Sequence, residues 1–227
     1  MLITALPAAS WRHRSAIFSP DNRYMATSTE KWEALRVFDT TIGTDYMEIA
    51  AEFPAPDALQ TVAFSAGSRL LAIGSSEESK VLLWDLKARK LVRTLDPGGE
   101  GTHAIAISPD EKHIAVAVHY SETVWVKNLA RSGKDVALDG HGGDILSLDY
   151  SSDGSMIVTG GNDGTVRLWE APSGKLLSTY VVFPDCKWAI FTPGGDYRCS
   201  PGAEQHLMWK VGVEVEPVTA GQPVASP

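Results

Sequence analysis

Two pairs of side chains in this sequence are of types that perform chemistry. His141 and Asp163 could serve as base and acid or share a metal ion, because an imidazole and a carboxylate suit both tasks. Cys199 and His206 could form a thiol and its activating base. The remaining cysteine, Cys186, has no metal-ligand spacing to Cys199, and two cysteines are too few to staple a chain of 227 residues, so both read as free thiols. A Gly-x-Ser-x-Gly elbow, a His-Glu-x-x-His pair and a phosphate-binding glycine loop ending in Lys-Ser or Lys-Thr are all missing from the sequence. The sequence therefore reads as non-catalytic, with no cofactor and no metal. Cys199 and His206 fall in the most irregular part of the chain, where cysteine is expected to fill strand space.

The elements that carry these residues come from a repeat of about 43 residues, the range in which a period decides the architecture. An apolar residue followed by a turn signal recurs at Phe18-Ser-Pro-Asp-Asn, Phe64-Ser-Ala-Gly-Ser, Ile107-Ser-Pro-Asp-Glu, Tyr150-Ser-Ser-Asp-Gly and Phe191-Thr-Pro-Gly-Gly. The steps are 46, 43, 43 and 41 residues. A second landmark follows about twenty residues later, in Val37-Phe38-Asp39, Leu83-Trp84-Asp85, Val126-Lys127-Asn128, Leu168-Trp169-Glu170 and Met208-Trp209-Lys210.

Each unit reads as four short strands. The clearest copy gives Ile145 to Tyr150, Met156 to Thr159, Thr165 to Trp169 and Lys175 to Val182, rich in β-branched and aromatic residues and separated by turn residues. Pro20 and Pro109 preset φ in the first turn, and Asp163-Gly164 suits a two-residue hairpin whose central residues need positive φ. Leu70 to Ile73 and Ile114 to Val118 are apolar without alternation, which predicts burial on both faces, as in strands sandwiched between neighbouring blades.

Residues 140 to 170, GHGGDILSLDYSSDGSMIVTGGNDGTVRLWE, closely resemble a WD repeat, with Glu170 in place of the usual Asp. The resemblance extends at lower quality from the N-terminus to about Gly212. It implies an all-β protein: a β-propeller of four-stranded antiparallel blades, about five of them, built from repeats at 1–44, 45–89, 90–132, 133–174 and 175–212. It also implies that each repeat runs outer strand first, so that Leu2 to Leu6 would close the ring against Gln205 to Lys210. Residues 213–227 have the composition of a disordered tail.

On this match His141, Thr159, Asp163 and Trp169 are similar to the family's structural tetrad, a hydrogen-bonded chain. The physics agrees, because a half-buried Asp and His need partners and an indole N–H seeks an acceptor. The other copies depart from the pattern: Phe38 replaces Trp in the first, Ser79 follows Glu78 where Gly is expected in the second, and Lys127 stands at the Trp position in the third. The fifth resembles the shortened last blade of some bacterial WD-repeat proteins.

In such an arrangement the loops before the first strand and between the second and third share one rim, the family's usual docking face. The candidate partner-binding residues there are Arg12, Arg14, Trp32, His103, Tyr120, Asp144, Asn162 and Trp188, with His119 and Lys187 beside them. Aromatics and arginines dominate interface energetics. The partner is expected to be a protein or peptide, because a net charge of -8 repels nucleic acid at long range. Residues 2 to 9 are apolar but lack a preceding basic residue, and no run approaches the ~18 apolar residues of a membrane span, so a cytoplasmic protein is expected. A closed ring would be a monomer, and an incomplete one would self-associate. The alternative functions are a fragment or regulatory module of a larger multidomain protein, or a propeller enzyme binding a small molecule or metal in its central channel.

Overall fold

The computed structural model describes residues 13–29, 34–41, 44–50, 59–75, 80–130, 133–211 and 214–217. The described chain is built of β-strands. The first sheet runs β1 (His13–Phe18), β2 (Tyr24–Thr29), β3 (Ala34–Asp39) and β4 (Thr44–Ala50), each antiparallel to the next. The second repeats it with β5 (Leu59–Phe64), β6 (Leu70–Ser75), β7 (Val81–Asp85) and β8 (Lys90–Leu95), and the third with β9 (Glu100–Ile107), β10 (His113–His119), β11 (Thr123–Asn128) and β12 (Val136–Asp139). The fourth opens with β13 (Ile145–Tyr150), β14 (Met156–Gly161), β15 (Thr165–Glu170) and β16 (Lys175–Val182). These four-stranded antiparallel sheets have the form expected of propeller blades. The second to fifth repeats each open on an outer strand belonging to the preceding sheet, namely β4, β8, β12 and β16.

The turn between the first two strands of each sheet has one chemistry. Ser19, Ser65, Ser108 and Ser151 each donate their N–H across the turn, to the carbonyls of Tyr24, Leu70, His113 and Met156, and the side-chain oxygens of Ser19, Ser65, Ser108 and Ser151 accept the returning N–H groups. The chain reverses through a left-handed residue, Asn22 at φ 60°, Ser68 at 57°, Glu111 at 56° and Gly154 at 72°. Two of these reach the preceding blade: Ser68 Oγ accepts the Asp21 N–H at 3.1 Å, and Glu111 Oε1 accepts the Gly67 N–H at 3.1 Å. The hairpin turns thus stitch successive blades together.

Packing follows the same order. Each sheet has a trailing face toward the sheet before it and a leading face toward the sheet after. Leu35, Val37 and Ile49 of the first sheet pack on Leu71 and Ile73 of the second. Ala72, Val81, Leu83 and Leu95 meet Ile105, Ile107, Ile114 and Val116 of the third, and Ala115, Val124, Val126 and Leu138 meet Ile145, Ile157 and Trp169 of the fourth. β6 and β10 are therefore buried on both faces, whereas β14, in the fourth sheet, alternates between buried Ile157 and Thr159 and exposed Val158. Full burial of one such aliphatic side chain contributes roughly 1.5–3 kcal/mol.

The fifth repeat takes a different form from the other four. β17 (Trp188–Phe191) and β18 (Tyr197–Cys199) hairpin back onto β16 and extend the fourth sheet to six strands. Pro201-Gly202, with Gly202 at φ 78°, then turns the chain into a 3-10 segment over Ala203–His206, so the expected strand from Gln205 does not form there. β19 (Met208–Val211) pairs with β20 (Glu214–Pro217), so four of the residues expected to lie in a disordered tail form a strand. Leu2 to Leu6, expected to close the ring, lie outside the described residues. Among the described residues no strand joins the first sheet to the C-terminal strands.

Candidate functional site

The fourth blade fixes His141 in the loop before β13 and Asp163 in the turn between β14 and β15. His141 Nδ1 lies 2.9 Å from Asp163 Oδ2, His141 Nε2 lies 2.7 Å from Thr159 Oγ1, and Trp169 Nε1 donates to Thr159 Oγ1 at 2.9 Å. The directions are mutually consistent for one tautomer. The indole donates to the threonine oxygen, the threonine hydroxyl donates to Nε2, and Nδ1–H donates to the carboxylate. The carboxylate also accepts the backbone N–H groups of Gly142 and Thr165, both at 2.9 Å, and the Thr165 hydroxyl at 2.8 Å.

Electrostatics fits this neutral-imidazole, ionised-carboxylate state. Burial lowers the His141 pKa, and the opposing pull of Asp163 is the smaller effect. Burial alone would raise the Asp163 carboxyl, but the Gly142 and Thr165 N–H groups, the Thr165 hydroxyl and His141 together hold it well below the ordinary carboxylate range. Both ring nitrogens and both carboxylate oxygens are engaged, so the pair has no free lone pair aimed at a ligand. Thr165 and Gly142, which complete the arrangement, were not singled out in the sequence, although the Asp-Gly-Thr turn signals a carboxylate poised over its own following N–H groups.

A second cluster lies on the same rim, between the third and fourth blades. His103 of β9 stacks on His119 at the end of β10, with ring centroids 3.7 Å apart and planes 2° from parallel. Tyr120 meets His119 edge-on at 6.1 Å, is 80% exposed, and holds a left-handed backbone at φ 55°. A left-handed tyrosine is uncommon and directs the ring away from the strand line. Across the blade boundary, Asp144 Oδ2 lies 3.8 Å from His103 Nε2, and the Asp144 carbonyl accepts the Asn162 N–H at 2.9 Å. Burial, and then the neighbouring His103, push the His119 pKa below the ordinary imidazole value.

Four candidate residues, His103, Tyr120, Asp144 and Asn162, thus converge, with His119 as the link between two of them. Trp188 is exposed but sits apart, on the face of the fourth sheet shared with Tyr180 and Val182. Arg14 belongs to β1, and Arg12 and Trp32 lie outside the described residues. His206 hydrogen-bonds Asp185 at 3.0 Å and stacks on Phe183, while burial raises the Cys199 thiol, the opposite of an activated nucleophile. Among the described residues no group of three or more His, Cys, Asp and Glu side chains could hold a metal ion, and no helix is long and apolar enough to cross a membrane.

Comparison with known proteins places this geometry. The WD domain, G-beta repeat family matches residues 134–170. The chain is 28% identical over 143 residues to the U3 small nucleolar RNA-associated protein 21 homolog of Schizosaccharomyces pombe, covering 60% of this chain and 15% of that protein. It is 26% identical over 168 residues to echinoderm microtubule-associated protein-like 2 of Rattus norvegicus, covering 72% and 25%. It is 33% identical over 127 residues to the small ribosomal subunit protein RACK1 of Medicago sativa, covering 49% and 38%. The chain spans less than half the length of each. All three relatives come from eukaryotes and give no support to a specifically bacterial last repeat.

Proposed function

We propose that this chain, which belongs to the WD-repeat family, is a non-catalytic scaffold that docks a protein or peptide through the rim patch of His103, His119, Tyr120, Asp144 and Asn162. The observation that carries the reading is the contrast between two neighbouring clusters. In one, His141, Thr159, Asp163 and Trp169 satisfy each other and act as a structural tetrad that rigidifies the blade. In the other, His103 and His119 of the third blade stack beside Asp144 of the fourth, and next to them stands Tyr120, exposed and held by an uncommon backbone conformation, the kind of anchor that carries binding energy.

The patch crosses the boundary between blades three and four, so blade packing sets its geometry. Arg12, Arg14 and Trp32 are further candidate anchors for the same partner, whereas Trp188 sits apart from this patch. The names of the three relatives tie them to a ribosomal subunit, a small nucleolar RNA and microtubules, which supports a role within a larger assembly, and a part as regulatory module of a larger multidomain protein is compatible with the same rim. A cytoplasmic site of action belongs to this reading and is checked by cell fractionation.

The test places a photo-crosslinking residue at position 120, and in a second preparation at Asp153, in the turn at the opposite end of β13. Irradiation in native lysate should give a discrete adduct from position 120 and none from 153. Equal labelling from both, or adducts from 153 alone, would remove the rim from the account.

A further inference from the structure

Two histidines of the third blade are brought face to face by an irregular strand. In β1, β5 and β13 the pairing with the following strand slips once, whereas in β9 it slips twice. Ala104 pairs with Ala117, Thr102 with Val118 and Glu100 with His119, so His103 and Gly101 are left as extra residues. Such bulges bend a strand and re-aim its side chains. Gly101 takes a φ of 57°, and the His103 ring lies flat on the His119 ring, 3.7 Å away and 2° from parallel. Both rings are half-buried. Tyr120, the next residue in the chain, meets His119 edge-on and stands exposed.

The charges that face the pair are acidic. Glu100 is opposite His119 in the β9–β10 register, and Asp144, ahead of β13, has its Oδ2 3.8 Å from His103 Nε2. Burial, and then His103, hold the His119 pKa below the ordinary imidazole value, while Asp144 and Glu100 pull the other way. β5 and β6, which pack on β9, carry no charged side chain. On β11 only Lys127 is charged, and it pairs with Ile114 at the far end of β10. On β13 only Asp149 is charged, opposite Val158 in the far half of that strand. Glu122 in the turn after β10 is exposed, Asp139 at the end of β12 accepts the Thr123 hydroxyl, and Asp163 is engaged by His141 and Arg167.

A neutral imidazole stacks on a neutral or a protonated one, and a single positive charge is stabilised beside Asp144 and Glu100. Two protonated rings place like charges 3.7 Å apart, so the protons bind in two coupled steps and the second drives the rings apart. We propose that the stacked pair is an acid-operated latch on the rim: with at most one proton it holds Tyr120 in position, and with two the rings part and Tyr120 is displaced. This rests on the reading of Tyr120 as the partner's anchor and adds its regulation. Docking is then strongest above about pH 6.5, the ordinary imidazole value, and weakens as the pH falls below it.

The test is solution NMR of the full chain without partner, following the histidine ring signals and a fluorinated tyrosine at position 120 from about pH 8 to about pH 5. The His103 and His119 signals should each titrate in two steps, and the fluorine signal should shift with the lower one. In His103→Gln, and separately in His119→Gln, the remaining ring should titrate once and the fluorine signal should lose that shift. Two independent single-step titrations in the wild type, or a fluorine signal unmoved by the lower step, would overturn the latch. In parallel, the adduct captured from position 120 at about pH 7.5 should fall severalfold at about pH 5 and should persist when His103→Gln is added. Equal yields at both pH values without that substitution would also overturn it. Because the NMR sample holds no partner, a failure of the rim reading, seen as no adduct at the higher pH, is told apart from a failure of the latch.

Discussion

At the scale of single residues, Thr159 is the hinge of the hydrogen-bonded chain, since one hydroxyl serves both the Trp169 indole and the His141 ring. The second blade shows what happens without it. Trp84 stands where Trp169 does, but Ile73 occupies the place of Thr159, and among the described residues the buried Trp84 Nε1 has no partner. Thr159→Val keeps the shape and removes the hydroxyl, leaving two buried polar groups unsatisfied. It should destabilise the protein by about 1–3 kcal/mol, read as a lower denaturation midpoint at constant slope. The four residues were legible in the sequence because Gly-His, Asp-Gly and Trp fall at family spacing. The stacked His103 and His119 were not legible as a pair, since their contact depends on how β9 and β10 pair.

Protonation belongs to the same scale. The folded pKa of His141 lies below its unfolded value near 6.5, so the unfolded chain binds the proton more readily in the window below that value. The stability linked to His141 is fully present above about pH 6.5 and is lost as pH falls through that window. Asp163, also lowered, adds a second loss that begins below about pH 4. Melting temperature against pH should therefore fall in two steps, and His141→Gln should shrink the upper one, to which the lowered His119 also contributes. A profile unchanged in that variant would assign the step to another group.

At the scale of elements, the strands and their order follow from turn chemistry and hydrophobic period. Ser-Pro-Asp and its variants fix each hairpin, and the unbroken apolar run of Ile114–Val118 predicted a strand covered on both sides, as it is. The fifth repeat was less readable. Its turn signal at Phe191-Thr-Pro-Gly-Gly is intact, but the choice between starting a new sheet and folding back onto β16 is made by long-range pairing, which a local pattern does not encode. Burial, rather than residue type, sets the cost of substitution in these elements. Ile114→Ala, in a covered position, should cost roughly 2–5 kcal/mol. Val158→Ala, on the exposed face of the fourth sheet, should stay within about 0.5 kcal/mol. Similar losses at both positions would show that the fourth sheet is covered.

At the scale of the whole molecule, repetition makes the fold a stack in which each blade needs only its neighbours. That organisation explains why degenerate repeats are tolerated. The second and third blades lack the full hydrogen-bonded chain yet hold the apolar rows that face the adjacent sheets. On the proposed reading, binding is left to the rim, where loops are free of packing duty. The most direct test of this account is the affinity of the captured partner for the folded chain, measured by titration calorimetry with wild type, Tyr120→Ala and Asp144→Ala. The account predicts that Tyr120→Ala weakens binding by roughly 2 kcal/mol or more, about thirtyfold, and that Asp144→Ala weakens it less, both at an unaltered melting temperature. Full affinity in both variants would contradict it.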